Sequence, residues 1–317
     1  MKVALTGVSG YLGQLLLRAL EADASVESIL GLDTQPPKKT TPKLNFKQAD
    51  VRYAPFNELL AGCDVLYHLA FIVEPPDHMS VTEIDEINIR GSERVFRGAI
   101  AAAVPKIVHA SSVAAYGAHP DNPEIFREDT PLRPNADWYY SRAKGQVEHL
   151  LNQLQLEYPK TVVIRFRPSI FLGPGIANSM GKLYARPFLL CINRQLKTDL
   201  CWDEDVAEAF RLALHYPQSD IFNLAAEGPL SVDEAGKIAG KRVLHIDRRW
   251  LLPIGAAACA LHILPQTALE WLRTGAAGSI LVSAERARAR LGWRPRYTGA
   301  EVLIQYLGSL KGASSHD

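Results

Sequence analysis

The sequence predicts an α/β fold, a doubly wound parallel sheet followed by a smaller C-terminal lobe. Three observations predict it. Short apolar runs alternate with helical patterns through the first half of the chain, a glycine-bearing turn joins the first run to the first helix, and the alternation breaks up beyond about residue 170.

The first element is the run Val3-Ala4-Leu5, apolar as a strand buried on both faces must be. It leads into "TGVSGYLG", which spaces its glycines as Gly7, Gly10 and Gly13. The first glycine permits a tight turn, the second lets backbone approach a pyrophosphate, and the third lets the helix pack closely on the strand. Tyr11 and Leu12 open that helix, whose free N–H groups and partial positive charge suit phosphates. The second run, Ile29-Leu30-Gly31-Leu32, ends in Asp33, twenty residues after Gly13. A carboxylate there accepts hydrogen bonds from an adenosine ribose and repels a 2′-phosphate, so a Rossmann-type site for NAD rather than NADP is expected.

The alternation continues through a Pro/Lys/Thr-rich loop (Pro36 to Lys43), the segment Leu44 to Lys47 with "QADVR", and the run Asp64 to Ala70. A long helix from about Val81 to Ala103, the strand Lys106 to Ala110 and the helix "WYYSRAKGQVEHLLNQL" follow, and Thr161 to Pro168 reads as another buried strand. We therefore expect a dinucleotide-binding domain over residues 1–170. A mainly substrate-binding lobe would span 171–311, with some chain returning to the first domain, and 312–317 would be a tail.

Composition narrows the partners. With 35 Lys plus Arg against 34 Asp plus Glu there is no basic excess for a nucleic acid. The four cysteines (Cys63, Cys191, Cys201, Cys259) form no Cys-x-x-Cys pair, and the nine histidines show no ligand spacing, so neither a disulfide framework nor a metal site is expected. A chain that enters a core strand directly, without a signal-peptide pattern, is expected in the cytoplasm. The longest apolar run, Leu251 to Leu264, contains a proline and is too short to span a bilayer; it reads as a buried or interface helix, with a membrane-surface helix the lesser alternative.

Two stretches carry candidate chemistry. "ASSVAAYG" follows a strand, placing Ser112 at a strand end facing the cleft, and "YYSRAK" sets Tyr140 and Lys144 four apart on one helix face. A phenol is a poor base at neutral pH, but a neighbouring ammonium favours its phenolate. Tyr140 is thus expected to exchange a proton with a substrate hydroxyl as hydride moves to or from a nicotinamide, with Ser112 holding the substrate oxygen and Lys144 stabilising the phenolate. The rival phenol Tyr139 has Ala143, not a lysine, four residues on.

With these motifs in order, the sequence resembles the extended short-chain dehydrogenase/reductase family, also called the NAD-dependent epimerase/dehydratase family, over nearly the whole chain. The resemblance implies that Asp50 and Val51 contact adenine. It also implies that Leu69, Ala70 and Phe71, after His68, lie along the cofactor, as do Ala110, Ser111 and Pro168, and that Asn88 is a structural asparagine. Ser112, Tyr140 and Lys144 match the family's catalytic triad, with Glu148 the acid one turn later and Gly173-Pro174-Gly175, "WDEDVAEA" and "LGWRP" its later landmarks. Two departures matter. Val113 and Ala114 replace the acidic pair of the dehydratases, and Arg167 stands where nucleotide-sugar epimerases usually carry asparagine. The expected activity is NAD-dependent interconversion of a secondary alcohol and a ketone on a small substrate. A nucleotide-sugar 4-epimerase with tightly held NAD is the alternative, and a non-enzymatic nucleotide-binding protein is disfavoured by the intact triad. The resemblance further implies a homodimer through helices 81–103 and 138–156.

Overall fold

A computed structural model describes all residues except 75, 77–78, 177–178, 262–268, 276 and 314–317. Seven parallel strands form the central sheet: β1 (Lys2–Thr6), β2 (Ser28–Asp33), β3 (Leu44–Gln48), β4 (Val65–His68), β5 (Lys106–Ala110), β6 (Val162–Pro168) and β11 (Asp220–Leu224), in the order β11-β6-β5-β4-β1-β2-β3. The order reverses at β1, so the crevice between the carboxyl ends of β1 and β4 is a switch point, where such sheets bind ligands.

Both faces of the sheet are covered because its strands are apolar on both. On one face α1 (Tyr11–Ala22) and α7 (Asp203–Leu212) pack together, burying Leu16, Leu17, Leu20, Val206 and Phe210 against Val3, Leu5 and Tyr67. On the other face Val95, Phe96 and Ala99 meet Val147, Leu151 and Leu154 over Leu66 and Ile107. These belong to α4 (Gly91–Ala101) and α5 (Tyr139–Glu157). The helix expected over 81–103 is one run with an interruption. After α3 (Val81–Asp85) comes a π-helical stretch, Glu86–Arg90, that buries Asn88 before α4 resumes. A π-turn inside an α-helix commonly marks a functional position.

Beyond Pro168 the chain builds small sheets. β7 (Ile170–Leu172) pairs with β10 (Leu200–Trp202), β9 (Lys197–Thr198) with β12 (Leu230–Ser231), and β8 (Phe188–Cys191) with β13 (Arg242–His245). Helix α8 (Val232–Ala239) packs on β8 and β13, and α10 (Gly299–Ala313) packs on α8. Two of the later sequence landmarks lock together here. Asp205 of "WDEDVAEA" accepts from the Arg296 backbone N–H (2.8 Å) and its Nε (2.7 Å), and the Trp293 indole of "LGWRP" donates to the Asp205 carbonyl (2.7 Å).

The apolar run from Leu251 forms most of α9 (Arg248–Ala260), and 262–264 lie outside the described residues. The expectation of burial fails for one face. Gly255 and Cys259 are buried, whereas Trp250 (71% exposed), Ile254 (64%) and Leu261 (70%) face outward. The spacing explains this, since 250, 254 and 261 share one side of a 3.6-residue helix. Among the described residues no helix is long and apolar enough to cross a membrane. Helix α10 runs to Ala313, into the segment expected as a tail, and 314–317 lie outside the described residues.

Candidate active site

β1 delivers the chain to the glycine turn. Gly7 adopts φ +76°, and a Cβ there would lie 2.6 Å from the Ala70 nitrogen, so the segment Leu69-Ala70 after β4 presses directly on the turn. At Gly10 an added Cβ would meet only the Gly7 carbonyl, at 3.2 Å. Helix α1 starts at this residue with no side-chain cap and no acidic group in its first turn, an arrangement that fits a pyrophosphate. At Gly13 a Cβ would fall 2.0 Å from the Gly7 carbonyl oxygen and 2.9 Å from Val8 backbone. Gly13→Ala is therefore expected to push α1 off the turn, costing about 1–3 kcal/mol and weakening NAD binding. Thermal unfolding and a dinucleotide titration check this, and unchanged binding would show that the close approach is dispensable.

Asp33 ends β2 beside this turn, its carboxylate accepting from the Ser9 N–H (3.0 Å) and the Thr34 N–H (2.7 Å). Asp50 has a charged partner of its own. Its carboxylate pairs with Arg52 at 2.6 Å, and hydrogen bonding from that guanidinium lowers its pKa. Val51 packs on Gly91, where a Cβ would lie 2.6 Å from the valine Cγ2. Tyr11 donates its hydroxyl to the Asp203 carboxylate and lies 3.1 Å from the Pro174 carbonyl, tying the cradle helix to the segments after β7 and β10. Pro168 ends β6 in register with Leu224.

The loop after β4 is fixed from two sides. Asn88, wholly buried, accepts from the Ile72 N–H (2.8 Å) and donates to the Ile72 carbonyl (2.9 Å). Tyr139 donates to the carbonyls of Ile72 and Val73, so the rival phenol is a brace for this loop. A hydrogen-bonded chain runs from the cradle to the same place: Thr6 Oγ1 to His68 Nδ1 (2.8 Å), His68 Nε2 to Ser92 Oγ (2.9 Å), and Ser92 Oγ to the Asn88 carbonyl. Because Ser92 donates to Asn88, His68 donates from Nε2, and in a neutral ring Nδ1 then accepts from Thr6. Burial, then the nearby Lys144 charge, agrees, pulling His68 down to about 3. His109 stacks on His68 at 5.5 Å and burial likewise pushes it well below its ordinary value. Both histidines lie buried near the carboxyl ends of their strands.

The candidate reacting groups meet where β5 and α5 approach each other. Ser112 caps a short 3₁₀ turn (Val113–Tyr116), accepting from the Ala114 N–H at 3.1 Å, and its hydroxyl also hydrogen-bonds the Tyr140 phenol. Phe71 stands edge-on to Tyr140 with ring centroids 5.9 Å apart, and Trp138 lies 6.4 Å from the same ring. Lys144 is buried. It donates to the Ala110 carbonyl at 2.7 Å and sits 3.5 Å from the Phe71 ring centroid.

This arrangement corrects the expected electrostatics. Burial raises the Tyr140 phenol, and the Ser112 hydrogen bond only partly offsets that, so the net direction is up rather than down. Lys144, expected as an ammonium, is lowered by its own burial to about 7, with the Glu148 charge opposing. The Ser111 hydroxyl donates to Glu148 Oε1 (2.7 Å).

Glu148 is the centre of a buried charge network behind the site. Arg167 Nε donates to its Oε1 (2.7 Å), and Arg165 Nη1 and Arg167 Nη2 each donate to its Oε2 (3.0 Å). Arg167 also reaches the Tyr116 hydroxyl (2.8 Å) and the Glu128 carbonyl (3.2 Å). Burial penalises the Glu148 carboxylate, but Arg167, Arg165 and the Ser111 hydroxyl outweigh it and hold it at about 2. One signal for this network stood in the sequence: arginines at 165 and 167, two apart in an otherwise apolar strand, share a face. The contacts of Tyr139 and Tyr11 carried no such signal, since their partners lie 66 or more residues away.

Fold and site together define a class: a doubly wound α/β protein with a glycine turn at its switch point and Ser112, Tyr140 and Lys144 where β5 meets α5. Residues 3–225 match the model of the NAD dependent epimerase/dehydratase family, and the chain belongs to that family, whose cofactor is NAD. The chain is 24% identical over 356 residues to a ketoreductase of Stigmatella aurantiaca that acts on 4-hydroxy-2-methyl-3-oxo-4-farnesyl-3,4-dihydroquinoline-1-oxide. That alignment covers 100% of this chain and 99% of the relative. Among solved structures it is similar to MoeE5 in complex with UDP-glucuronic acid and NAD (TM-score 0.79, 20% identity, 99% of this chain and 100% of the other). It is also similar to the UDP-glucuronic acid 4-epimerase of Bacillus cereus with NAD (TM-score 0.76, 17% identity, 99% of both chains).

Proposed function

We propose that the chain is an NAD-dependent oxidoreductase that interconverts a secondary alcohol and its ketone, with Tyr140 as the acid/base. The observation that carries this reading is the Tyr140 phenol, hydrogen-bonded by Ser112 and kept protonated by burial. A phenol in that state suits donation to a carbonyl oxygen.

When bound, NAD supplies the hydride donor or acceptor, held by the glycine turn at Gly7, Gly10 and Gly13 with Asp33 on its ribose. Ser112 holds the substrate oxygen near the phenol. During reduction the Tyr140 proton goes to that oxygen, and Lys144, one turn along α5 and near half-protonated at neutral pH, returns a proton to the phenolate. Phe71 and Trp138 flank Tyr140 with apolar rings, and buried Val113 and Ala114 supply no second acid or base.

Arg167 favours this reading over sugar epimerisation. It stands where nucleotide-sugar epimerases usually present an asparagine, but its guanidinium is withdrawn into the Glu148 network. The full-length likeness to a ketoreductase points the same way. The test is to incubate the purified protein with NADH and a panel of ketones and follow absorbance at 340 nm, a wavelength fixed by the reduced nicotinamide. Loss of absorbance matched by alcohol formation is expected. Retention of NAD through gel filtration, with conversion of a nucleotide sugar to its epimer and no net oxidation, would overturn the proposal.

A further inference from the structure

Three ligating side chains that lie far apart in sequence meet at one end of the small β8–β13 sheet. Cys191 ends β8, His245 ends β13, and the two are register partners in this parallel pair. Asp233 stands in the first turn of α8, the helix that packs on both strands. The Cys191 sulfur, a His245 ring nitrogen and an Asp233 carboxylate oxygen all lie within 4.8 Å of one another. We propose that Cys191, Asp233 and His245 hold a divalent cation of the zinc class, with one coordination position left for water, and that this ion clips the β8–β13 sheet to α8.

The donor set selects the ion. A thiolate, an imidazole and a carboxylate together suit borderline-soft zinc, whereas magnesium and calcium prefer all-oxygen sites. Bond lengths of about 2.0–2.3 Å in a tetrahedral site place neighbouring ligand atoms roughly 3.3–3.7 Å apart. His245 Nε2 and Asp233 Oδ1 already stand 3.0 Å apart. Closing the remaining separation takes about 1 Å, which the exposed His245 ring can supply by rotation while buried Cys191 stays in place.

The location gives the ion a task. A two-stranded sheet of four-residue strands is marginal by itself. At these strand ends the Ile246 N–H donates to the Cys191 carbonyl (3.0 Å), and Gly236 of α8 is already close-packed on Val243. An ion at Cys191 and His245 would fix the same ends through side chains. It would displace the thiol proton of Cys191, so binding should release a proton and strengthen as pH rises. The proposal is independent of the hydride-transfer reading, since none of these residues belongs to the catalytic or dinucleotide site.

The test uses the full chain, stripped with a chelator and titrated with zinc alone. One zinc per chain, a dissociation constant on the order of micromolar or tighter, and a thermal midpoint raised by zinc and lowered again by chelator are expected. Cobalt loading should give a thiolate charge-transfer band that Cys191→Ser abolishes and Cys63→Ser leaves intact. His245→Gln, at an exposed position that should not affect folding, should weaken zinc binding at least about tenfold. Substoichiometric zinc, a cobalt band that survives Cys191→Ser, or unaltered affinity in His245→Gln would each overturn the site. NAD binding in these variants should match the parent chain, which separates failure of this site from failure of the hydride-transfer reading.

Discussion

Tyr140→Phe is expected to cut turnover by about 10²–10⁴-fold, the range over which a positioned proton donor contributes. NAD binding should be essentially unchanged, because the substitution removes one hydroxyl and leaves the glycine turn and Asp33 intact. The ring is held by Phe71 and Trp138, so the variant should fold as the parent does. The measurement is kcat and KM together with a dinucleotide titration. A loss in kcat with intact NAD affinity supports a proton-transfer role, and parent-like turnover would refute it. Tyr139→Phe is the contrast. It removes the brace on the Ile72 and Val73 carbonyls, so its cost should appear in stability and KM more than in kcat.

The largest stability effect should come from Glu148→Gln. This exchange keeps the shape but leaves Arg165 and Arg167, both nearly fully buried, without their shared anion. Removing one partner of a buried charge cluster costs about 3–5 kcal/mol, because the remaining charges stay desolvated and repel each other. Denaturant unfolding measures it, and a loss below about 1 kcal/mol would show that water or Glu128 compensates. The pH dependence has a definite sign. The folded carboxyl sits at about 2 against an ordinary 4.5, so its stabilisation is fully present above about pH 4.5 and is lost as pH falls toward 2. The gap between parent and variant should therefore narrow across that window, which a series of unfolding curves would show. Lys144, four residues before Glu148 and raised by its charge, should also lose its proton at lower pH in the variant.

Much of the fold was legible because its signals are local. A glycine that must take φ +76°, an acid at the end of the second apolar run and a Tyr/Lys pair one helical turn apart each declare themselves within a few residues. The long helix was legible too, but its π-helical turn at Glu86–Arg90 was not, since the demand for it comes from Ile72, sixteen residues away from Asn88.

The protonation states lay further out of reach. Side-chain spacing placed Lys144 beside Tyr140 in angle around the helix, yet the direction of each shift depends on burial and on what else the amine touches. Here those are Ala110 and Phe71.

The sequence by itself determined the parallel sheet, the glycine turn at its first strand end and the helical spacing of Tyr140 and Lys144, because each follows from backbone sterics and from patterning over short windows. Only the tertiary structure decided that Arg167 is drawn away toward Glu148, that Tyr139 braces a loop, and that Cys191, Asp233 and His245 converge. Those outcomes depend on contacts between segments distant in the chain. Their energies are set by how far water is excluded, a property of the packed molecule that no stretch of sequence carries alone.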